Sequence, residues 1–516
     1  MMNKRKFSLN ALAISIASAT FAIPTYAVSE EVLVEEVVIV GSRGAPRSVT
    51  DSPVPVDVIN SDELSKTGSS DLLMQLQGAV PSLNVHLQPI SDAASMIRPA
   101  NLRGLPSDNT LVMVNGKRRH RASVIAFLGG GINDGAHGPD ISVIPSIALK
   151  QVEVLRDGAS AQYGSDAIAG VINFILDDSS EGGKLSIKKG EFAEGDGDTT
   201  TIAGNIGMPL TDAGFVNMSF QMKQQDATSR SEQRPDAQAL IDAGNTSVTD
   251  PAQIWGAPIV DDDVTFFLNS GLDLGDGSEA YMFANYSERD VDGGFYYRNP
   301  DDRGGVFTYE NPIDEGIYRL VADLTGNCAS SVDFNICTVD PSDYSQRDAL
   351  IESPDCYIHN QQAPGGYTPR FTGNITDSAI AMGTRGEFDR GFLKGFNYDI
   401  SGSVGRNEAS FGLNNTFNPS MGPDSPRDFE TGTYIQLAKT FNFDLQKQVG
   451  NTSLAGGIEW RETTFTVIAG EQASYQVGAY TVSEKDADGN LNIDSYQPFN
   501  IGSETFARNA TKRSIY

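Results

Sequence analysis

The sequence predicts an exported chain in two parts: a compact α/β domain over residues 51–178, then the wall of a transmembrane antiparallel β-barrel over residues 179–516. Three observations carry that expectation. The N-terminus has the layout of a secretory signal. Residues 51–178 mix short strands with amphipathic helices. Beyond Asp178 the texture changes to period-2 alternation, with short turns and long polar loops between segments.

Lys4, Arg5 and Lys6 form a basic start. Ala11 to Ile23 is an apolar stretch of about a dozen residues, too short to span a bilayer as a helix. Thr25-Tyr26-Ala27 supplies small residues for cleavage after Ala27, so residues 1–27 read as a signal peptide. No later apolar run of about 18 residues occurs, which argues against transmembrane helices but not against membrane strands. The net charge is −29, and residues 1–27 carry three Lys/Arg and no Asp/Glu, so the remainder carries −32. That balance makes nucleic acid a poor partner. The three cysteines, Cys328, Cys337 and Cys356, share one polar stretch. In an oxidising compartment a Cys328–Cys337 clip is one expectation, but the pairing is not decided by sequence.

Residues 28–50 read as an extended lead. Glu36-Val37-Val38-Ile39-Val40 sets four β-branched residues between an acid and Gly41-Ser42, a strand with no obvious hairpin partner. It could equally be the first strand of the next domain. In the α/β part, residues 54–59 form a strand whose Pro55 suits an edge. Ser61 starts a helix, and residues 70–76 form a second one, ended before Pro81. Residues 110–117 form a strand closed by Asn115-Gly116, a strong hairpin signal. Residues 147–156 and 171–176 supply two more strands, with a small-residue segment at 160–168 between them.

Past Asp178, Val216, Met218, Phe220 and Met222 alternate with Asn217, Ser219, Gln221 and Lys223. Phe396, Tyr398, Ile400 and Val404 alternate with Asn397, Asp399, Ser401 and Ser403, and Leu454, Ile458 and Trp460 oppose Glu459 and Arg461. One face suits lipid and the other water, over segments of about 9–11 residues. A soluble sandwich gives the same alternation. The export signal decides for a membrane wall. So does the contrast between short turns such as residues 209–214 and long loops at 226–262, 290–376 and 408–430. About ten strands are visible.

The most specific run is Ile144 to Ile175, containing Val152-Glu153-Val154-Leu155-Arg156-Asp157-Gly158 and Gln162-Tyr163-Gly164-Ser165, then Gly170-Val171-Ile172-Asn173. Together with Val80-Pro81-Ser82-Leu83, Leu102-Arg103-Gly104-Leu105 and Leu111-Val112-Met113-Val114-Asn115-Gly116, it closely resembles the plug signature of TonB-dependent outer-membrane receptors. The resemblance covers residues 30–178 densely and the rest only by texture. It implies an α/β plug domain inside a transmembrane antiparallel β-barrel, 22-stranded in plugged transporters of this kind. Arg103, Gly104, Glu153, Arg156, Gly158, Tyr163, Gly164 and Gly170 would belong to the plug core, with Glu153 and Arg156 pairing with polar lumen residues. Glu36–Val40 looks like the family's TonB box, an extended segment that adds an edge to TonB's sheet through backbone hydrogen bonds. Val32-Leu33-Val34 is a second candidate.

The resemblance further implies a monomeric receptor in the outer membrane of a Gram-negative bacterium, its N-terminus periplasmic. It would be energised by TonB with its inner-membrane complex and would import a scarce ligand: a ferric siderophore, cobalamin or an oligosaccharide. Ligand contacts are expected from residues 86–100 and 117–141. Lys117, Arg118, Arg119, His120 and Arg121 form a basic cluster that could hold an anionic ligand or pair with acidic barrel residues. Tyr296, Tyr297, Tyr475 and Tyr480 would suit sugars or membrane interfaces. No cofactor or metal is expected. Asp486 to Asp494 alternates acids, but Leu491 stands where a calcium loop needs glycine. The histidines are scattered, and no HExxH or GxSxG motif supports an enzyme. Lys512 and Ser514 fall in phase with Tyr516, which spoils a closing strand and points to an N-terminal portion of a longer barrel. The competing readings are a passive or adhesive barrel and a secreted glycan-binding β protein.

Overall fold

The computed structural model describes residues 37–38, 47–48, 55–84, 90, 95–125, 131–310, 317–328, 344–450, 452–476, 478–480, 484–485 and 491–492. The expected signal peptide, Glu36, Ile39, Val40, Cys337 and Tyr516 lie outside them.

A five-stranded sheet forms the first unit. Its strands are β1 (Val56–Asn60), β2 (Thr110–Val114), β3 (Lys117–Arg118), β4 (Leu149–Leu155) and β5 (Gly170–Leu176), in the order β1-β4-β5-β2-β3. Neighbours are antiparallel except β2 and β5, which run parallel. Val152 and Val154 of β4, and Val171, Ile172 and Phe174 of β5, are buried, and the largely apolar β5 is covered on both faces. Helices α1 (Ser61–Ser65) and α2 (Leu72–Ala79) cover the sheet through Leu64, Leu73 and Leu76. Helix α2 begins at Asp71, whose carboxylate accepts the Met74 N–H at 3.1 Å and satisfies an otherwise orphaned donor. Asn115 and Gly116 both take positive φ, 48° and 76°, the backbone that a two-residue hairpin turn demands.

The second unit is one nine-stranded antiparallel sheet. Its strands are β6 (Gly183–Gly190), β7 (Thr199–Pro209), β8 (Gly214–Gln225), β9 (Ile259–Gly275), β10 (Ser278–Gly293), β11 (Arg370–Glu387), β12 (Asn397–Asn414), β13 (Phe429–Val449) and β14 (Thr452–Ala469). They pair strictly in chain order, an up-and-down wall. The alternation seen in the sequence has a definite sense. Asn217, Ser219 and Gln221 of β8 are buried against the first unit, whereas Met218 is exposed. Phe266, Ile380, Met382, Val404, Phe441, Ile458 and Trp460 are exposed too. Register puts Met282, Met382, Gly402, Phe441 and Trp460 in one row on that same outer face. A soluble sandwich buries its apolar faces; this sheet buries its polar one. That inversion is the signature of a wall facing lipid outside and a polar lumen inside.

The strands are longer than the sequence suggests, up to 21 residues in β13. Pairing continues past the apolar band into stretches where both faces are polar, such as Asp261–Asp263 and Glu288–Asp290, so alternation gave no signal there. The long connections shrink accordingly to 226–258, 294–369 and 415–428. The cysteine expectation is corrected: Cys328 pairs with Cys356, not Cys337. The short ladder between Ala322–Asp323 and Cys356–Tyr357 brings the two half-cystines together.

Gly170, at φ 151°, opens β5 at a close approach of neighbouring segments. A Cβ there would lie 2.3 Å from the Leu155 carbonyl oxygen and 2.5 Å from Leu102 Cδ2. Gly170→Ala should therefore destabilise the first unit by about 2–4 kcal/mol. An unchanged midpoint of its denaturant unfolding in detergent would contradict this packing.

Candidate functional site

The two units meet through buried charge. On the wall, Asp377 of β11 is 2% exposed and faces inward. From the first unit, Arg119 forms an ion pair with it, and His120 Nε2 lies 2.9 Å from its Oδ2. From the wall, Asn285 and Asn407 amides donate to it at 2.9 and 3.0 Å. Asn407 also accepts from the Ser123 N–H at 2.7 Å. Every member of this network is buried. Gly405 makes room for it, because a Cβ there would fall 2.2 Å from His120 Nδ1.

A second anchor reverses the sign. Arg289 of β10 donates to Asp140 at 2.6 Å and to the Met96 carbonyl at 2.6 Å, and also to the Ser142 hydroxyl. Lys117 reaches Asp399 of β12 at 3.0 Å. Asn115 donates to Asn269 at 3.2 Å, and Asn269 donates to the Asp177 carbonyl at 2.9 Å. Removing one partner of such a buried pair leaves an uncompensated charge, which costs about 3–5 kcal/mol.

Between β3 and the wall lies a cavity of about 720 Å³. Inward rows of small residues create it: Ala379, Gly405, Ala438 and Thr463 in one register row, Ala381, Ser403 and Thr440 in the next. Phe267, Phe283, Tyr434 and Phe465 give it apolar sides, and all of Arg118, Arg119, His120 and Arg121 line it. The basic cluster therefore divides. Arg119 and His120 are consumed by Asp377, while Arg118 and Arg121 meet Asp166 at 2.5 and 3.6 Å. His137 also lines the cavity, its Nε2 2.5 Å from the Ala122 carbonyl and its ring edge-on to Phe465. Burial holds its imidazole down at about 4.

Other expected residues fall elsewhere. Glu153 is buried but accepts from Asn173 and Gln151 within its own sheet, at 3.1 Å each. Arg156 pairs with Asp57 at 2.7 Å. The resemblance implied pairing with polar lumen residues; the partners just named lie instead on β1, β4 and β5 of the first unit. Gly170 is buried and Tyr163 half-buried, whereas Arg103, Gly104, Gly158 and Gly164 sit exposed at turns rather than in the core. Arg103 and Gly104 take φ 57° and 70° in such a turn. Val37–Val38 pairs with Arg47–Ser48, so the lead has a short hairpin partner after all. Tyr297 is buried, its hydroxyl donating to the Gly365 carbonyl at 2.7 Å, and Tyr296 is exposed. Asp377, Asn407, Arg289 and Asp166 join the site beyond the residues the sequence suggests, and Asp140 and Arg461 enter it as ion-pair partners. Their signal is weak: Asp377, Arg289 and Arg461 are charges on long strands, and Asp140 and Asp166 lie outside the strands. Among the described residues no group of three or more potential ligands could hold a metal ion.

Two outcomes follow. Asp377→Asn should speed amide hydrogen exchange across residues 110–125 by about two orders of magnitude, equivalent to about 3 kcal/mol; unchanged exchange would contradict the anchor. For His137, whose ordinary value is near 6.5, the unfolded chain takes up a proton first as pH falls from 6.5 towards 4. Stability should drop across that window, and His137→Gln should flatten the drop, read as unfolding midpoints at pH 7 and 4.5. Equal drops in both proteins would contradict a neutral buried imidazole.

Residues 48–171 match the family model described as the TonB-dependent Receptor Plug Domain. A vitamin B12 transporter, BtuB, of Vibrio vulnificus is 30% identical over 207 residues, 39% of this chain and 31% of that protein. A ferric enterobactin receptor of Pseudomonas aeruginosa is 29% identical over 120 residues, 23% of this chain and 16% of that protein. The crystal structure of a P. aeruginosa ferric enterobactin receptor (PfeA) mutant aligns at a TM-score of 0.49 and 16% identity, covering 81% of this chain and 50% of that one. The chain thus spans about a third or less of the curated relatives it matches. The plug match coincides with the five-stranded unit, and that unit sits on the polar face of an apolar-backed wall: residues 48–171 are a plug domain of the TonB-dependent receptor type.

Proposed function

We propose that the protein is an outer-membrane receptor that captures a scarce ligand outside a Gram-negative cell and passes it to the periplasm using TonB and inner-membrane energy. In this reading residues 28–50 are a periplasmic lead, 51–178 the plug and 179–516 the wall. The observation that carries it is the plug's attachment. Buried ion pairs of both signs, Asp377 with Arg119 and Arg289 with Asp140, hold the plug against the lumen face. Such pairs are secure while intact and costly once a partner withdraws, which suits a plug that yields only to applied force. The names of two relatives, a vitamin B12 transporter and a ferric enterobactin receptor, support a ligand among bulky nutrient carriers. Nothing in this role calls for catalysis.

Coupling would begin at Glu36–Val40. Val37–Val38 already has strand geometry against Arg47–Ser48, a two-residue pairing that a longer strand from TonB could outcompete. Backbone hydrogen bonds carry such an addition, so proline is more damaging than alanine. Arg119 and His120 would act as plug anchors, and Arg118 and Arg121 would face the ligand's path.

Capture of the receptor by the purified periplasmic domain of TonB tests this. Val38→Ala should bind within about threefold of the unaltered protein, and Val38→Pro should lose at least about tenfold, roughly one hydrogen-bonded step of 1.4 kcal/mol. Undiminished capture of Val38→Pro would overturn the assignment.

A further inference from the structure

Three guanidinium groups converge on one carboxylate at the cavity's edge. Asp166, in the short turn before β5, lies 2.5 Å from Arg118, 3.6 Å from Arg121 and 3.3 Å from Arg461 of β14. Glu459, the next nearest acid, stands 3.8 Å from Arg118 Nε. That Nε is buried and has no hydrogen-bond acceptor among the described residues. Burial, together with repulsion from Arg461 and Arg121, pushes the Arg118 guanidinium below its ordinary value. Arg121 and Arg461 remain 39% and 38% exposed. Three guanidinium groups thus share one carboxylate at close range, with Glu459 beyond hydrogen-bond reach and Asp108 elsewhere on the lining, in a chain that is −29 overall.

The cavity beside this cluster has the size of a small-molecule site. Its 720 Å³ falls within the roughly 300–1,000 Å³ typical of ligand pockets. Its lining also fits an anionic ligand with an apolar body. Arg118, Arg121 and Arg461 stand along it with Phe267, Phe283 and Phe465, and small wall residues leave the space between unfilled. Asp166 is in effect an internal image of the occupant: a carboxylate already seated where guanidinium forks take paired oxygens.

We propose that this seam between plug and wall is a transit subsite for a polycarboxylate ligand, whose carboxylates replace Asp166 on Arg118, Arg121 and Arg461. The proposal rests on the uptake reading above. Asp166 belongs to the plug and stays beside the site, so it competes with the ligand and keeps affinity low. A waypoint needs that property, because a ligand held tightly midway is not passed on.

Calorimetry on the detergent-purified protein at low ionic strength, with tricarballylate as probe and its uncharged triamide as control, tests the subsite. Asp166→Asn should tighten tricarballylate binding about tenfold. Arg461→Gln, at a half-exposed wall position that folding should tolerate, should weaken it by a similar factor, and the triamide should not bind. Unchanged affinity in both variants, or equal binding of the triamide, would overturn the proposal. The measurement needs no TonB. A failed series with intact TonB capture would overturn only the subsite. An intact series with failed capture would retain the anion site and overturn the uptake reading.

Discussion

Asp377 cannot be left alone. It lies 2% exposed on the inner face of a wall whose outer face is apolar, and no lipid or packed side chain could stabilise its charge. Among the described residues, the wall's direct hydrogen bonds to it come from the amides of Asn285 and Asn407, with the Arg289 charge acting from farther off. The cation in direct contact comes from the plug, as Arg119, with His120 beside it. Arg289 makes the same demand with the opposite sign and is met by Asp140. These two requirements fix where the plug sits and which of its faces meets the wall. They also explain why β3 and the segment after it, rather than the helices, carry the basic run.

The cavity follows from the same placement. Anchors at Asp377 and Asp399 hold the basic run across β11 and β12, over inward rows made of Ala379, Ala381, Ser403 and Gly405. Residues this small cannot fill the gap between sheet and plug, so space remains, and the arginines not used as anchors border it. The anchors and the proposed subsite are thus neighbours in one seam, so a change in the anchors reaches the cavity.

Much of the plug was legible in the sequence because its signals are local. Asn115-Gly116 declares a hairpin, the pattern of residues 70–76 declares a helix, and the largely apolar run of β5 announces a buried strand. The wall was legible only where one face is apolar. Its strands outrun that band into Asp261–Asp263 and Glu288–Asp290, where alternation carries no information. The site was half legible. Five consecutive basic residues stand out in an acidic chain, but the carboxylates that pair with them, Asp377, Asp399 and Asp166, are 45 or more positions away in sequence and are brought to them by the tertiary fold. Glu153 and Arg156 mislead for a related reason: ionisable residues in a packed strand advertise a partner without saying which side supplies it.

Ser123 reports most directly on whether the plug leaves the wall during work. It is fully buried in this structure, its N–H and hydroxyl both donating to Asn407. Maleimide labelling of Ser123→Cys in intact cells, with and without a protonophore, reads that contact. Labelling that requires the proton gradient, and falls to background when the gradient is collapsed, is the result expected of a force-released plug. Equal labelling under both conditions would contradict it.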